Sequence, residues 1–435
     1  MYPSPIPPSF PRDRFSVFSH SLGDHSAHKL PYKLTAAALS GFPAVEISLI
    51  DLEDHATQKG CNLLESAQEI GELCRVLGLR VTCIQPLRDV IESRKPVSDG
   101  VEKAMRLFPV MDALDTDLLL VCSSSLPPDQ LDPSTESAVA HLKAIGTAAA
   151  AWKPKKRVAF EALAWGTHIN LWRQAWDVVQ AVDLKNVGIC LDSFNTLARE
   201  WADPTVPGGI QPNAHNNIRR SMSQLGQLPG RKIFLLQIGD GAKLKEPIAR
   251  ETCVEAPPLM TWSRSSRLFP MEVERGGYLP VAEFVAAVIK TRYSGYWSLE
   301  VFNNSLSSPI DSTPVTHALR GFHGLSKLAN FIFANPQVDH EQADQTLIAS
   351  PSSLQLIAGI PPSYQLLKPP SFRRSPQLNS DSASDSSSLE FVHESDPEHP
   401  SPLLPIHSTT SPRKLCNPEI HALVSFHRTS RTSDP

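Results

Sequence analysis

Eight short apolar runs, separated by longer segments with apolar residues at helical spacing, predict a (β/α)8 barrel, an α/β fold with parallel strands inside and helices outside. Two further observations agree. Several of the helical segments close on glycine, where a left-handed cap is wanted, and the periodic part of the chain, about 330 residues, falls in the usual size range of such barrels. An open doubly wound sheet is the competing architecture, but no GxGxxG follows the first run.

In chain order, the first strand is placed at Arg14–Ser19, and the helical segment "LPYKLTAAALSG" follows it. The second, Ala44–Leu49, precedes "NLLESAQEIGELCRVLG" with its terminal glycine. The third, Arg80–Gln85, precedes "DGVEKAMRLFPVMDAL", and the fourth, Asp117–Cys122, precedes "STESAVAHLKAIGTAAAAW". The fifth, Arg157–Glu161, is followed by "NLWRQAWDVVQAV", the sixth is Val187–Asp192, and the seventh is Lys232–Gln237. After "YLPVAEFVAAVIKTRYSG" the eighth, Tyr296–Phe302, completes the set. Residues 1–13, with four prolines in the first eight, are expected to be a flexible N-terminus, and the barrel domain to cover 14–340. From about Ser350 the periodicity stops, and residues 371–412 hold 12 Ser and 6 Pro in 42 positions. Such a segment cannot bury enough apolar area to offset its ordering entropy, so 350–435 is expected to be a disordered tail.

Composition narrows the function classes. The 435 residues are 41% hydrophobic and 20% charged, enough for a large core. A formal net charge of -4 offers no general attraction to phosphate backbones or anionic lipid, so nucleic acid is not an expected partner. No apolar stretch reaches the roughly 20 residues of a spanning helix, so no membrane span is expected. The seven cysteines are odd in number and without CxxC spacing, and no charged-then-apolar leader opens "MYPSPIPPSFPRDR". A reduced, cytoplasmic protein is expected.

The late strands share a chemical feature. Strand five ends at Glu161 in "VAFEA", strand six at Asp192 in "VGICLDSF", strand seven at Gln237 in "IFLLQIGD" and strand eight at Glu300 in "YWSLEVF". A polar strand end is unremarkable singly, but in a barrel these four ends meet on the C-terminal face, where such folds build their active sites. Three carboxylates converging without a counter-charge repel one another, and a cation between them resolves the repulsion. Three carboxylates and an amide oxygen suit a divalent metal ion, Mg²⁺ or Mn²⁺ foremost, with Co²⁺ as an alternative.

The stretches "FEALAWGTHIN", "LDSFNTLAREWADP", "LLLVCSSSLP", "IQPLRDV", "WSRSSRLFP" and "WSLEVFNN", spread over roughly residues 14 to 335, resemble the 3-dehydroshikimate dehydratase family within the xylose-isomerase-like barrels. The resemblance implies a metal-dependent hydro-lyase that converts 3-dehydroshikimate to protocatechuate and water in dehydroshikimate catabolism. It implies Glu161, Asp192, Gln237 and Glu300 as metal ligands, the same four that the strand ends select. It also matches Arg88, Ser263 and Arg267 to substrate-contacting positions, two guanidinium groups being suited to bind a carboxylate bidentately.

Two departures from the family pattern stand out. Where bacterial members carry D-S-F-H, this chain has Asn195 after Phe194, so a substrate-contacting imidazole is replaced by an amide that can hydrogen-bond but cannot act as a base. The same change argues against a trinuclear zinc nuclease of the endonuclease IV type. In "PMEVERGGYLP" a shorter turn is extended by Glu272, Glu274 and Arg275, either as a lid or as a solvated charge run. No second, dioxygenase-like domain is expected after the barrel; the tail takes that place. His168 is the candidate acid or base, with His20 in "FSHSLG" as a second imidazole near the mouth and Ser123 to Ser125 as small polar neighbours. A sugar isomerase or epimerase on the same barrel, sharing the metal ligands, and a non-catalytic binding barrel are the alternative functions. The oligomeric state is not readable from the sequence.

Overall fold

A computed structural model describes residues 12–249 and 256–334. Eight parallel strands close into a barrel: β1 (Phe15–Phe18), β2 (Ala44–Ser48), β3 (Arg80–Leu87), β4 (Leu118–Cys122), β5 (Arg157–Glu161), β6 (Val187–Asp192), β7 (Ile233–Ile238) and, after a two-stranded ribbon, β10 (Trp297–Leu299). The ring order is β1-β10-β7-β6-β5-β4-β3-β2, so every strand pairs with its sequence neighbours in the barrel. The ribbon is β8 (Asp240–Gly241) against β9 (Arg267–Leu268), antiparallel. Helices α1 (Leu30–Leu39), α2 (Leu49–Lys59), α3 (Leu63–Leu77), α4 (Val97–Ala113), α5 (Thr135–Ala151), α6 (Trp172–Val182), α7 (Ser193–Glu200), α8 (Ala214–Leu225), α9 (Pro258–Ser266), α10 (Val281–Lys290) and α11 (Thr313–Ala334) fill the connections. Among the described residues no helix is long and apolar enough to cross a membrane.

Local chemistry sets the helix ends. Asn62 and Glu65 form a reciprocal capping box at the start of α3, and Gly78 closes that helix at φ 70°, a left-handed position that glycine adopts without steric cost. Gly60 does the same for α2 at φ 66°. The strands alternate with period two. Val158 and Phe160 of β5, Ile189 and Leu191 of β6 and Trp297 and Leu299 of β10 belong to the large core under the helices. Cys83, Leu118, Leu120, Cys122, Ala159, Cys190 and Leu235 form a second cluster that fills the lumen. Glu161, Asp192 and Gln237 are therefore in phase with the lumen residues, which is what brings separate strand ends to one place.

The eighth strand is shorter than the Tyr296–Phe302 expected from the sequence. Pairing ends at Leu299, and beyond it Ser266 bridges Asn303 while the Arg267 amide donates to the Phe302 carbonyl at 2.9 Å, so the chain turns to the ribbon instead of extending the barrel. Arg12–Arg14 form a 3-10 turn leading into β1. The rest of the expected flexible N-terminus and the whole of the expected tail lie outside the described residues.

The segment around Glu272 is tethered. Glu272 is buried and takes a two-pronged ion pair from Arg320 of α11 at 2.7 and 2.8 Å. Asp240 accepts the backbone amides of Tyr278 and Leu279 at 3.2 and 2.9 Å from the other side. The extension is held at both ends, while Glu274 and Arg275 between the tethers are exposed to solvent. Charge-assisted hydrogen bonds contribute about 1.5–3 kcal/mol, so Arg320→Ala is expected to lower unfolding free energy by about 2 kcal/mol in urea titration; an unchanged midpoint contradicts the tether.

Candidate active site

Three carboxylates converge where the lumen opens at the C-terminal ends of the strands. One oxygen each of Glu161, Asp192 and Glu300 lies within 4.8 Å of the others, and all three side chains are buried. Glu161 ends β5, and Asp192 ends β6 while capping α7, its Oδ1 accepting the Asn195 amide. Glu300 follows β10 by one residue, its amide donating to the Ile238 carbonyl at 3.2 Å. Gly239 beside it has no room for a side chain, since a Cβ there meets the Glu300 carbonyl oxygen at 2.6 Å.

A counter-charge is already present among them. Arg267, buried, donates through Nη1 to Asp192 Oδ2 at 2.9 Å and Glu300 Oε2 at 3.0 Å, and its Nε donates to Ser263 Oγ at 3.0 Å. The guanidinium lies over the rings of Phe194 and Phe302, 4.4 and 5.1 Å from the ring centres, a favourable cation–π setting. Burial works against its charge, but Asp192, Glu300 and Glu161 outweigh burial and raise its pKa. The cluster is therefore not uncompensated: one guanidinium faces three acidic groups, two of which it bonds directly.

Beneath the cluster is a polar floor that the sequence reading missed. Glu46 of β2 accepts from the side-chain amides of Gln85 (2.7 Å) and Gln237 (3.0 Å), which also reach Glu300 Oε1 at 3.2 and 3.3 Å. Burial first, then the Glu300 charge, pushes Glu46 up to about 8 against the hydrogen bonds that favour its ionised form. Burial, with Glu300 and Asp192 adding to it, raises Glu161 well above the usual carboxylate range. Burial also takes Glu300 to about 7 despite the opposing Arg267.

The donor set fits a hard divalent ion. Its atoms are carboxylate oxygens, clustered and shielded from water, with three acidic groups to one guanidinium. Gln237 fits on one condition. Its nitrogen now faces Glu300 and its oxygen accepts from Cys190 Sγ at 3.3 Å, so it serves as a ligand only with the amide turned over, a change of orientation that alters no atom's position appreciably. A raised carboxyl pKa also sets the pH response. Protons on Glu300 compete with the ion below about 7, and those on Glu161, raised further, compete beyond it, so Mn²⁺ affinity is expected to climb with pH through the neutral range, approaching tenfold per unit for each proton displaced. A flat calorimetric profile contradicts this. Without ion, the folded state binds the Glu300 proton more tightly than the unfolded chain. Its contribution to stability is therefore full below the usual 4.5 and lost as pH rises through about 7.

The other candidates are placed as follows. Asn195 donates from Nδ2 to Glu161 Oε1 at 2.8 Å and accepts the Ala164 amide at 3.0 Å, so it orients that carboxylate. Ser263 supports Arg267. Arg88 is exposed on the segment after β3, and Arg264, a neighbour the sequence reading did not select, is exposed on α9; burial and then the Arg88 charge lower the Arg264 pKa. Ser123 and Ser124 are buried in structural bonds, Ser123 Oγ accepting the Leu163 amide at 3.0 Å. His168 is a quarter exposed, with Nδ1 3.3 Å from Glu92 Oε1. His20 donates to Asp51 at 3.1 Å. Glu92 and Asp51 were not singled out from sequence, since neither ends a strand nor sits in a motif.

Comparison with known proteins agrees with this geometry. The xylose isomerase-like TIM barrel family matches residues 34–322. A 3-dehydroshikimate dehydratase of Neurospora crassa is 33% identical over 334 residues, 72% of this chain and 93% of that protein. One from Pseudomonas aeruginosa is 32% identical over 326 residues, 75% of this chain but 44% of that protein, so the chain spans less than half the length of that relative. Among solved structures, a xylose isomerase-like TIM barrel/4-hydroxyphenylpyruvate dioxygenase fusion protein is 31% identical with a TM-score of 0.58, covering 74% of this chain and 44% of that one. The IOLI protein, solved with a zinc atom, shares the fold at 15% identity and TM-score 0.54, covering 73% and 98%. A near full-length match to the Neurospora enzyme, on a barrel whose strand ends gather three buried carboxylates, makes this chain a member of the 3-dehydroshikimate dehydratase family.

Proposed function

We propose that this chain removes water from 3-dehydroshikimate to give protocatechuate, using a divalent ion held by Glu161, Asp192 and Glu300, with Gln237 as a fourth ligand. The observation that supports it most is the buried carboxylate triad at the mouth of a barrel related along nearly its whole length to a 3-dehydroshikimate dehydratase. When bound, the ion supplies Lewis-acid stabilisation of charge developing at the ketone oxygen. The protein does the rest. Arg88 and Arg264, exposed at the rim, take the substrate carboxylate, where two guanidinium groups give planar, bidentate recognition. Arg267 and Ser263 hold Asp192 and Glu300 in place and add positive potential where the enolate charge grows. Asn195 fixes Glu161. A histidine at the mouth, His168 or His20, moves the proton from the carbon beside the ketone.

Purified protein incubated with Mg²⁺ or Mn²⁺ and 3-dehydroshikimate should develop the ultraviolet absorbance of an aromatic product. No absorbance change with either ion refutes the assignment.

A further inference from the structure

The two mouth histidines are set differently. His168 Nδ1 is buried near Glu92 without a hydrogen bond. His20, by contrast, stands in a built arrangement. Asp51, buried at the start of α2, accepts from Ser19 Oγ at 2.6 Å, from Lys33 Nζ at 2.8 Å and from His20 Nδ1 at 3.1 Å. Burial opposes the Asp51 charge, but Lys33 and His20 outweigh it and hold the carboxyl below its usual range. An ionised carboxylate can only accept, so Nδ1 of His20 carries the hydrogen and the neutral ring keeps its free lone pair on Nε2. No described residue bonds Nε2, and the side chain is 19% exposed.

The same segment is fastened to the carboxylate site. Ser21 Oγ accepts the amide of Val301, the residue after Glu300, at 2.8 Å. The His20 ring lies 6.0 Å from that of Phe302, and Phe302 is the ring beneath Arg267. One aromatic side chain therefore separates His20 from the guanidinium that bonds Asp192 and Glu300. The charged groups around His20 are Asp51 and Lys33 from α2 and α1, with Arg267 beyond Phe302.

We propose that His20 Nε2 is the base of the dehydration, with Asp51 as its positioning residue. The inference rests on the proposed activity. Nε2 takes the proton from the carbon beside the ketone, and the C–H electron pair forms the C=C bond of the enolate with the charge on the ketone oxygen. Collapse of the enolate restores the carbonyl and expels the β-hydroxyl, which leaves as water with the proton returned from His20. Transfer of one further ring proton to the ketone oxygen completes the aromatic product, so substrate equals product plus water.

The test compares wild type, His20→Ala, His20→Gln and His168→Ala in Mn²⁺-loaded form, reading kcat, thermal midpoint and Mn²⁺ affinity. General-base loss corresponds to about 100- to 10,000-fold in kcat. Both His20 variants are expected to show it with Mn²⁺ affinity within threefold of wild type, and added imidazole is expected to restore turnover to His20→Ala in a concentration-dependent way. His20→Gln keeps a donor for Asp51 and no base, so it decides the matter should His20→Ala fail to fold. Folded His20→Gln turning over at the wild-type rate, or loss of turnover that follows lost Mn²⁺ affinity and ignores imidazole, overturns the proposal. Wild type inactive with either ion overturns the activity itself, before any variant is compared.

Discussion

Glu300→Gln is expected to lower kcat/KM for aromatic product formation by roughly three orders of magnitude, because a Lewis acid is worth several kcal/mol and each 1.36 kcal/mol is tenfold. The substitution keeps the side chain's size and removes one of the charges proposed to hold the ion. It should not unfold the barrel. Glu300 is penalised by burial and sits against Asp192 and Glu161, so loss of its charge relieves repulsion even as it weakens the bond from Arg267. Calorimetric Mn²⁺ titration should show weakened binding beside an unchanged or higher thermal midpoint. Wild-type Mn²⁺ affinity in this variant would remove Glu300 from the ligand set.

Arg267→Met should have the largest effect on stability. The guanidinium is 1% exposed and lies between two carboxylates and two aromatic rings. Removing one partner of a buried ion pair leaves uncompensated charge and costs about 3–5 kcal/mol. Urea unfolding in ion-free buffer should report that loss, and Mn²⁺ should recover part of it by binding the folded state and replacing the missing positive charge. Arg267→Lys should not substitute, since an ammonium cannot span Asp192, Glu300 and Ser263 together. A wild-type urea midpoint for Arg267→Met would show that the carboxylates are neutralised in some other way.

Much of this was legible in the chain. The eight strands were, because each is an apolar run that the period-two alternation divides between lumen and helix layer, and the same alternation carried Glu161, Asp192 and Gln237 to one face. What escaped were features that exist only in three dimensions. Glu46 in "AVEIS" reads as the polar member of an ordinary alternating strand, and only closure of the barrel turns that position into a buried one beneath the carboxylate cluster. Its signal was a carboxylate in a parallel strand that water cannot reach. Arg267 was selected for a substrate carboxylate, yet the β8–β9 ribbon, two residues to a side and too short for any periodicity, turns it onto the protein's own carboxylates. Asp51 is an unmarked helix residue until Ser19, His20 and Lys33 gather around it.

Asp192 carries two duties in one side chain: one oxygen caps α7 and the other faces Arg267 and the carboxylate cluster. Its evolutionary options are narrow as a result. Most replacements would uncap a helix and remove a carboxylate from the cluster in a single step, and selection would meet both defects at once. Asparagine is an exception that also keeps the side chain's size, for it caps a helix as well as aspartate does while surrendering the charge. Asp192→Asn is thus a single substitution expected to keep the α7 cap while removing one of the three converging carboxylates.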